Sequence, residues 1–177
     1  MRPRNGINPG LSSSSAAFVE AQKTPLVKLT ETASRATAKR AQRIDFQASP
    51  AEVRDQIARI LERSVTEFGA LSTKLAVTMY METRRDFGAG SPFTATELDL
   101  EPIKESAANE VDYVWQNVMA KKFNDVRDTL AVMAESVTRS IYNQTILDNA
   151  RRDPDGPPFE WSSPTGAPCH NPDHHNH

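Results

Sequence analysis

The side chains best suited to metal chemistry are concentrated at the C-terminal end of the chain. They are Cys169, His170, His174, His175 and His177. Thiolate and imidazole are ligands that zinc prefers, and four such ligands make a tetrahedral site. The spacing lacks the paired CxxC or HxxxH that makes a zinc site specific. Two interpretations follow: a zinc site, or a polar tail that binds metal adventitiously.

Patterns typical of catalysis are missing from the sequence. The GAG run at 88–90 has neither the third glycine nor the strand and helix that surround a phosphate-binding loop. No nucleophile elbow is present. Glu97, Asp99 and Glu101 lie together at a predicted helix start, where they complement the helix dipole, and a general-acid pair is the minor alternative. We therefore predict a protein that is not an enzyme and has no cofactor other than the zinc considered above.

Positive charge is concentrated near the N-terminus. The net charge is −2, yet residues 1–45 hold eight Lys or Arg side chains and three acidic ones. This asymmetry favours nucleic acid or an acidic protein as a partner, although a solvated helix face is the plainer interpretation because no aromatic residues alternate with the charges. The residues predicted to contact a partner or nucleic acid are Lys23, Lys28, Arg35, Lys39, Arg40, Arg43, Arg84 and Arg85.

One long helix is the strongest structural signal. Ser49 and Glu52 form a capping box with Pro50 at the first helical position, which predicts a helix start. Two arginines and Gly88 predict its end near Phe87, followed by a reversal of the chain. An apolar stripe joins these ends at helical spacing, and its members are Ile57, Leu61, Phe68, Leu71, Leu75 and Met79. At ~1.5 Å per residue the helix is roughly 55 Å long and needs partners along its length.

The rest of the chain divides into segments around this helix. Residues 1–23 are expected to form a flexible arm with a short helix ending before Pro25, and residues 24–45 a basic, marginal helix. Residues 49–153 are the main helical domain, with a further capping box at 94–97 and a core helix from 102 to about 122. A last helix runs to about Arg152. Residues 154–177 form an irregular tail.

Composition indicates a modest core. The hydrophobic fraction is 38%, below the ~45–50% typical of globular proteins. A single cysteine excludes an internal disulfide, and no stretch approaches the ~18 apolar residues of a membrane span, so a soluble protein without membrane contact is expected. The predicted fold is all-α: an elongated helical hairpin or bundle with a long central helix, an extended N-terminal arm and an irregular C-terminal tail.

Two segments resemble a known family. LAVTMYMETR at 75–84, followed by Phe87-Gly88 and SPF at 91–93, is similar to a helix of MuF-like minor head proteins of tailed phages, especially phages of actinobacterial hosts. VTRSIYNQTI at 137–146 and NARRD at 149–153 resemble the family's second signature. FEW at 159–161 and GAPC at 166–169 occupy the places of its aromatic segment and Pro-Cys. Family members commonly continue into Cys-x-x-Cys and a further domain, so a C-terminal activity of longer relatives is not expected here.

The resemblance implies a helical protein of the virion, near the portal and the capsid interior, that assists head assembly or the packaging and ejection of DNA. Its implied partners are the portal or major capsid protein and packaged DNA, within a multi-subunit assembly, with the host cytoplasm as its location during assembly. Two alternatives remain at this point. One is a helical module whose working part is the C-terminal Cys/His cluster, and the other is a nucleic-acid binder that uses residues 23–43.

Overall fold

A computed structural model describes residues 13–157, and side chains from residue 25 onward. In this range the protein is all-α, with no strand. None of its helices carries a segment long and apolar enough to cross a bilayer. The helices are α1 (Ser13–Ala41), α2 (Pro50–Ser64), α3 (Ala70–Phe87), α4 (Glu101–Asn109), α5 (Val111–Met119) and α6 (Phe123–Arg152). The predicted extended arm and C-terminal tail lie mostly outside the described residues.

The long central helix is confirmed. It comprises α2, a π-helical segment (Val65–Gly69) and α3, which together span 38 residues. Ser49 accepts a hydrogen bond from the amide of Glu52 while the Glu52 carboxylate accepts one from the amide of Ser49, as the capping box predicts. Gly88 ends the helix in the left-handed region with φ of 81°, a conformation that costs glycine little. The chain then reverses.

The π-helical segment changes which side of the central helix is buried. A π-turn adds one residue, so every later side chain is rotated relative to a regular helix. Ile57, Leu61 and Phe68 are buried as predicted, but Leu71 is 49% exposed and Leu75 is only partly buried. The buried side continues instead through the neighbouring positions Ser72, Thr73, Ala76, Tyr80 and Arg84. The predicted apolar stripe is therefore wrong at Leu71 and Leu75, whereas its last member, Met79, is buried as predicted.

Helix α1 continues through Pro25, where the sequence predicts a break. The φ angle that proline fixes is compatible with an α-helix. Proline removes one hydrogen bond to the preceding turn and clashes with its carbonyl, but the helix after it can form normally. The buried side of α1 consists of small residues, Thr30, Ala33, Thr37 and Ala41. Small side chains let helices approach closely, and α1 packs on α6 more extensively than any other pair of helices does. Tertiary packing thus supports a helix that looks marginal alone.

The segment after Gly88 returns along the central helix. Residues 89–100 are not helical, and α4 and α5 then pack on α2. Thr73 donates a hydrogen bond to Glu97 at 3.1 Å, and Arg54 pairs with Asp112 at 2.6 Å. In this return segment (residues 89–122), later residues therefore contact earlier residues of the central helix. The two run antiparallel.

The predicted hairpin requires α6 to run antiparallel to the central helix, but α6 runs parallel to it. Ser72 donates a hydrogen bond to the carbonyl of Thr138 at 2.7 Å, and Arg84 pairs with Asp153 at 2.6 Å. The central helix and α6 are therefore parallel, and only the return segment is antiparallel to it. The predicted core helix at 102–122 is interrupted at Glu110, and a break at 120–122, with Lys121 at φ 57°, precedes α6. The break lets the chain reverse a second time.

Gly69 lies where the central helix and α6 cross. A Cβ atom on Gly69 would lie 2.9 Å from Cδ1 of Ile141 and 3.4 Å from Cδ1 of Leu100. Ile141 is itself buried, so its side chain has little room to move. The absence of a side chain at position 69 allows the two helices to touch.

We expect Gly69→Val to lower the free energy of unfolding by about 1–3 kcal/mol, because overpacking a filled core costs that much. Urea denaturation followed by circular dichroism measures the change. Gly90→Val is the matched control, since no atom lies within 4 Å of a Cβ there. Equal stability of the two variants would contradict close packing at Gly69.

Candidate functional site

A buried ion pair joins the ends of α3 and α6. Nε of Arg84 donates to Oδ2 of Asp153 at 2.6 Å, and Oη of Tyr80 donates to the same oxygen at 3.0 Å. The Arg84 side chain is 8% exposed and that of Asp153 is 0% exposed. Tyr80, Arg84 and Asp153, named here the clamp, are thus almost entirely removed from solvent.

The clamp also holds the chain reversal that follows the central helix. Nη2 of Arg84 donates to the carbonyl of Ser91 at 2.6 Å and to its hydroxyl at 3.0 Å. The guanidinium lies 5.5 Å from the ring centre of Phe93, which also packs against Tyr80. Arg84, which belongs to α3, therefore joins this helix to the return segment and to the end of α6.

Gly156 closes the other side of the clamp. A Cβ atom there would lie 2.6 Å from Oη of Tyr80 and 3.2 Å from Cβ of Asp153. The amide of Asp155 donates to Oδ1 of Asp153 at 3.2 Å. The turn after α6 thus packs directly on the ion pair and adds a backbone donor to it.

A second polar contact lies one turn before Asp153. Oδ1 of Asn149 accepts the amide hydrogen of Thr96 at 2.8 Å, and its Nδ2 donates to the Thr96 carbonyl at 2.9 Å. Asn149 is fully buried. Its side chain pairs with both backbone groups of one residue, as a neighbouring strand would. This pairing explains why the predicted capping box at 94–97 forms no helix there.

The clamp keeps the Asp153 carboxylate ionised. Burial alone would raise its pKa, but hydrogen bonds from Arg84 and Tyr80 outweigh burial and hold the pKa below the ordinary value of 3.8. Burial and the neighbouring Asp153 carboxylate raise the pKa of Tyr80 to about 12. Tyr80 is therefore a hydrogen-bond donor at neutral pH.

A shallow cleft of about 470 Å³ lies beside these contacts, between the return segment and α6. Its lining includes Arg151 and Arg152. Arg152 donates to Oδ1 of Asn149 and to the hydroxyl of Thr96, both at 2.6 Å, and Arg151 lies 3.8 Å from Asp148. Both cations already have internal acceptors, so the cleft does not form a ready site for an anion.

The structure separates the residues predicted to contact a partner. Arg84 is buried in the clamp, which corrects the prediction that it contacts a partner, whereas Arg85 is exposed. Arg40 forms an ion pair with Glu67 on the central helix. Lys28, Arg35, Lys39 and Arg43 are exposed on α1 and the turn after it. The side chain of Lys23 lies outside the described residues.

The predicted metal ligands at 169–177 also lie outside the described residues, so the zinc hypothesis stays a prediction. Within the described residues, no group of three or more His, Cys, Asp or Glu side chains is arranged to hold a metal ion. Sequence reasoning named Arg84 but missed its partner Asp153, and it missed Asn149, which binds Thr96. Both lie in the NARRD run, whose position at the end of a long helix and before Pro154 was the available signal.

The fold and the clamp define a class of protein: an all-α bundle whose two long parallel helices are joined by a buried ion pair at their C-terminal ends. A family model described as "VG15 protein" matches residues 13–170, most of the chain. The chain belongs to the VG15 protein family. No curated protein and no solved structure matches it.

We expect Asn149→Leu to lower the free energy of unfolding by about 1–3 kcal/mol. Leucine is similar in size but leaves the amide and carbonyl of Thr96 without their partner. Urea denaturation of the full chain measures the loss. Asn143→Leu, on the same helix at a position without a side-chain hydrogen bond in the described residues, should change stability by less than about 0.5 kcal/mol. If the two variants behave alike, Asn149 does not hold the return segment.

The lowered pKa of Asp153 predicts a loss of stability in acid. The stabilisation by its carboxylate is complete above the unfolded-state value of 3.8 and is lost as the pH falls through the lower folded-state pKa. We therefore expect the stability difference between wild type and Asp153→Asn to narrow below about pH 4, as measured by urea denaturation at a series of pH values. Asp155→Asn is the control at a neighbouring exposed carboxylate. A difference that does not change with pH would contradict the clamp.

Proposed function

We propose that this chain is a non-enzymatic structural or assembly protein of a tailed-phage head, of the MuF-like minor-head type. The observation that supports the proposal is the position of the two segments that carry the resemblance. Residues 75–93 supply Tyr80 and Arg84, and residues 137–153 supply Asn149 and Asp153. These segments are far apart in sequence but meet in and beside the clamp.

The use of these residues favours an architectural role. Among the described residues, the groups with shifted pKa values are Glu52, Tyr80, Tyr142 and Asp153. Glu52 belongs to the cap of α2, Tyr142 is buried in the core, and the other two form the clamp. Shifted pKa values at catalytic sites usually accompany a cleft and an open reaction centre. Here each shift has a structural cause, which is a helix cap for Glu52, burial in the core for Tyr142 and the clamp for Tyr80 and Asp153.

The long bundle leaves extended, charged faces for binding other proteins. In this proposal the partners are the portal or the major capsid protein, with packaged DNA as a further contact, in the virion near the portal vertex. Arg85 is exposed at the end of the central helix, beside the reversal that the clamp fixes. It is the remaining member of the predicted arginine pair that can reach such a partner.

Co-expression with the portal and major capsid proteins of one phage tests the proposal. We expect the full chain to sediment with assembled heads in a density gradient and to remain there after nuclease treatment. Arg85→Glu should lower the head-bound fraction about tenfold, as loss of a binding charge pair does. Lys74→Glu is the control, a charge reversal at another exposed position on the same helix. A chain that stays unbound while heads assemble would refute the proposal.

The two alternatives have their own tests. Zinc that remains bound after dialysis against a chelator and is lost in Cys169→Ala would support the metal-binding module. A nucleic-acid affinity that falls steeply with salt would support a role for residues 23–43 in binding DNA, because phosphate contacts release counterions. The exposed positions of Lys28, Lys39 and Arg43 favour testing the second.

A further inference from the structure

One side of the bundle carries a basic face. It consists of Lys28, Arg35, Lys39 and Arg43, all exposed on α1 and the turn after it. Arg35 lies 3.6 Å from Glu31. Lys28, Lys39 and Arg43 have no acidic partner among the side chains that the structure describes. Three unpaired cations therefore follow one another along a single exposed helical surface.

Another side carries an acidic face. It consists of Asp99, Glu101, Glu105, Glu110 and Asp112, all exposed on the return segment. Lys104 pairs with Glu101 and Arg54 pairs with Asp112. Asp99, Glu105 and Glu110 have no cationic partner within residues 25–157. The numbers of unpaired charges on the two faces thus match.

The two faces lie on opposite sides of the molecule. Helix α1 packs on the central helix and α6, α4 packs on the central helix and α5 packs on both, but α1 does not contact α4 or α5. A basic face and an acidic face on opposite sides cannot neutralise each other within one chain. They can meet between two copies placed side by side.

The charges also lie at matching heights along the bundle. Leu26 packs against the cluster that contains Met79 and Tyr80, whereas Thr37 hydrogen-bonds Ser64, so α1 runs antiparallel to the central helix, as the return segment does. In the return segment, Leu100 borders Gly69. At a rise of ~1.5 Å per helical residue, Lys39 and Glu105 both lie beside the region of Ser64. Arg43 and Glu110 both lie about one turn further towards Ser49. A sideways displacement of one copy therefore brings Lys39 opposite Glu105 and Arg43 opposite Glu110 of the next copy.

Tyr113 extends the acidic face with an exposed aromatic ring. Its side chain follows Asp112 on the outer side of α5 and is 71% exposed. Tyrosine is enriched at the energetic centres of protein interfaces, where it combines apolar area with a polar tip. Its height along the bundle is close to that of Arg43, so the ring adds a contact that a purely electrostatic surface would lack.

We propose that copies of this chain associate side by side, with the basic face of one copy bound to the acidic face of the next. Such an interface joins two different surfaces, so each copy keeps one free face and the contact repeats into a ring or a row. The inference concerns the chain's own partner and does not depend on the phage-head proposal. A copy of the chain is favoured over nucleic acid because the acidic face supplies carboxylates at the heights of the cations.

Sedimentation velocity of the full chain tests the proposal. At about 50 mM NaCl we expect concentration-dependent self-association, and at about 500 mM NaCl we expect monomers, since salt screens exposed charges. Lys39→Glu with Arg43→Glu, or Glu105→Lys with Glu110→Lys, should each weaken association at least tenfold. Lys74→Glu with Asp128→Lys changes two exposed charges elsewhere and is the control. Circular dichroism verifies that every variant is folded.

Two further experiments distinguish pairing of these faces from a general charge effect. An equimolar mixture of the two reversed variants should associate into rows or rings in which the two variants alternate at one-to-one stoichiometry, because one carries acidic charges on both faces and the other basic charges on both faces. A single chain carrying all four reversals should recover self-association. Monomers at low salt, or self-association that neither reversal weakens, would overturn the proposal. Monomers that bind DNA only through Lys39 and Arg43 would overturn it as well and identify a nucleic-acid face.

Discussion

The carboxylate of Asp153 is the constraint on which the architecture of this protein depends. A buried charge requires a partner, because its desolvation is costly and an uncompensated ion in the interior costs more than most single interactions supply. Arg84 satisfies it, and the same guanidinium binds the carbonyl of Ser91. The observed arrangement of α3, the return segment and α6 satisfies these groups together. The ion pair therefore joins three segments that are far apart in the sequence.

The π-helical segment makes this arrangement reachable. Without the additional residue, Leu71 and Leu75 would continue the buried side of the central helix, and Tyr80 and Arg84 would not lie directly on it. With the additional residue, Ala76, Met79 and Tyr80 pack with Tyr142 and Ile146 of α6. The polar side chains of Ser72 and Arg84 lie on the same buried side. Thr37 and Ser64 hydrogen-bond each other, and Ser72 binds the Thr138 carbonyl, in places where other bundles use leucine.

Small buried side chains and internal polar contacts have a consequence for the surfaces. Buried Thr, Ala and Ser let helices approach closely but bury little apolar area per residue. The described range keeps its remaining charges outside, on faces that are basic on α1 and acidic on the return segment. A bundle built this way is stabilised by fit at its centre and has two differently charged outer faces.

Local signals in the sequence determined the ends of the long helices. The capping box at Ser49, the left-handed Gly88 and the stop after Arg152 depend on residues within one turn of each end, and all three were predictable. The apolar stripe as far as Phe68 and the all-α class followed from periodicity in the same way. The tertiary structure alone decided the π-turn, the continuation of α1 through Pro25, the parallel direction of α6 and the pairing of Arg84 with Asp153. These features depend on contacts between residues tens of positions apart, and no local spacing encodes such contacts.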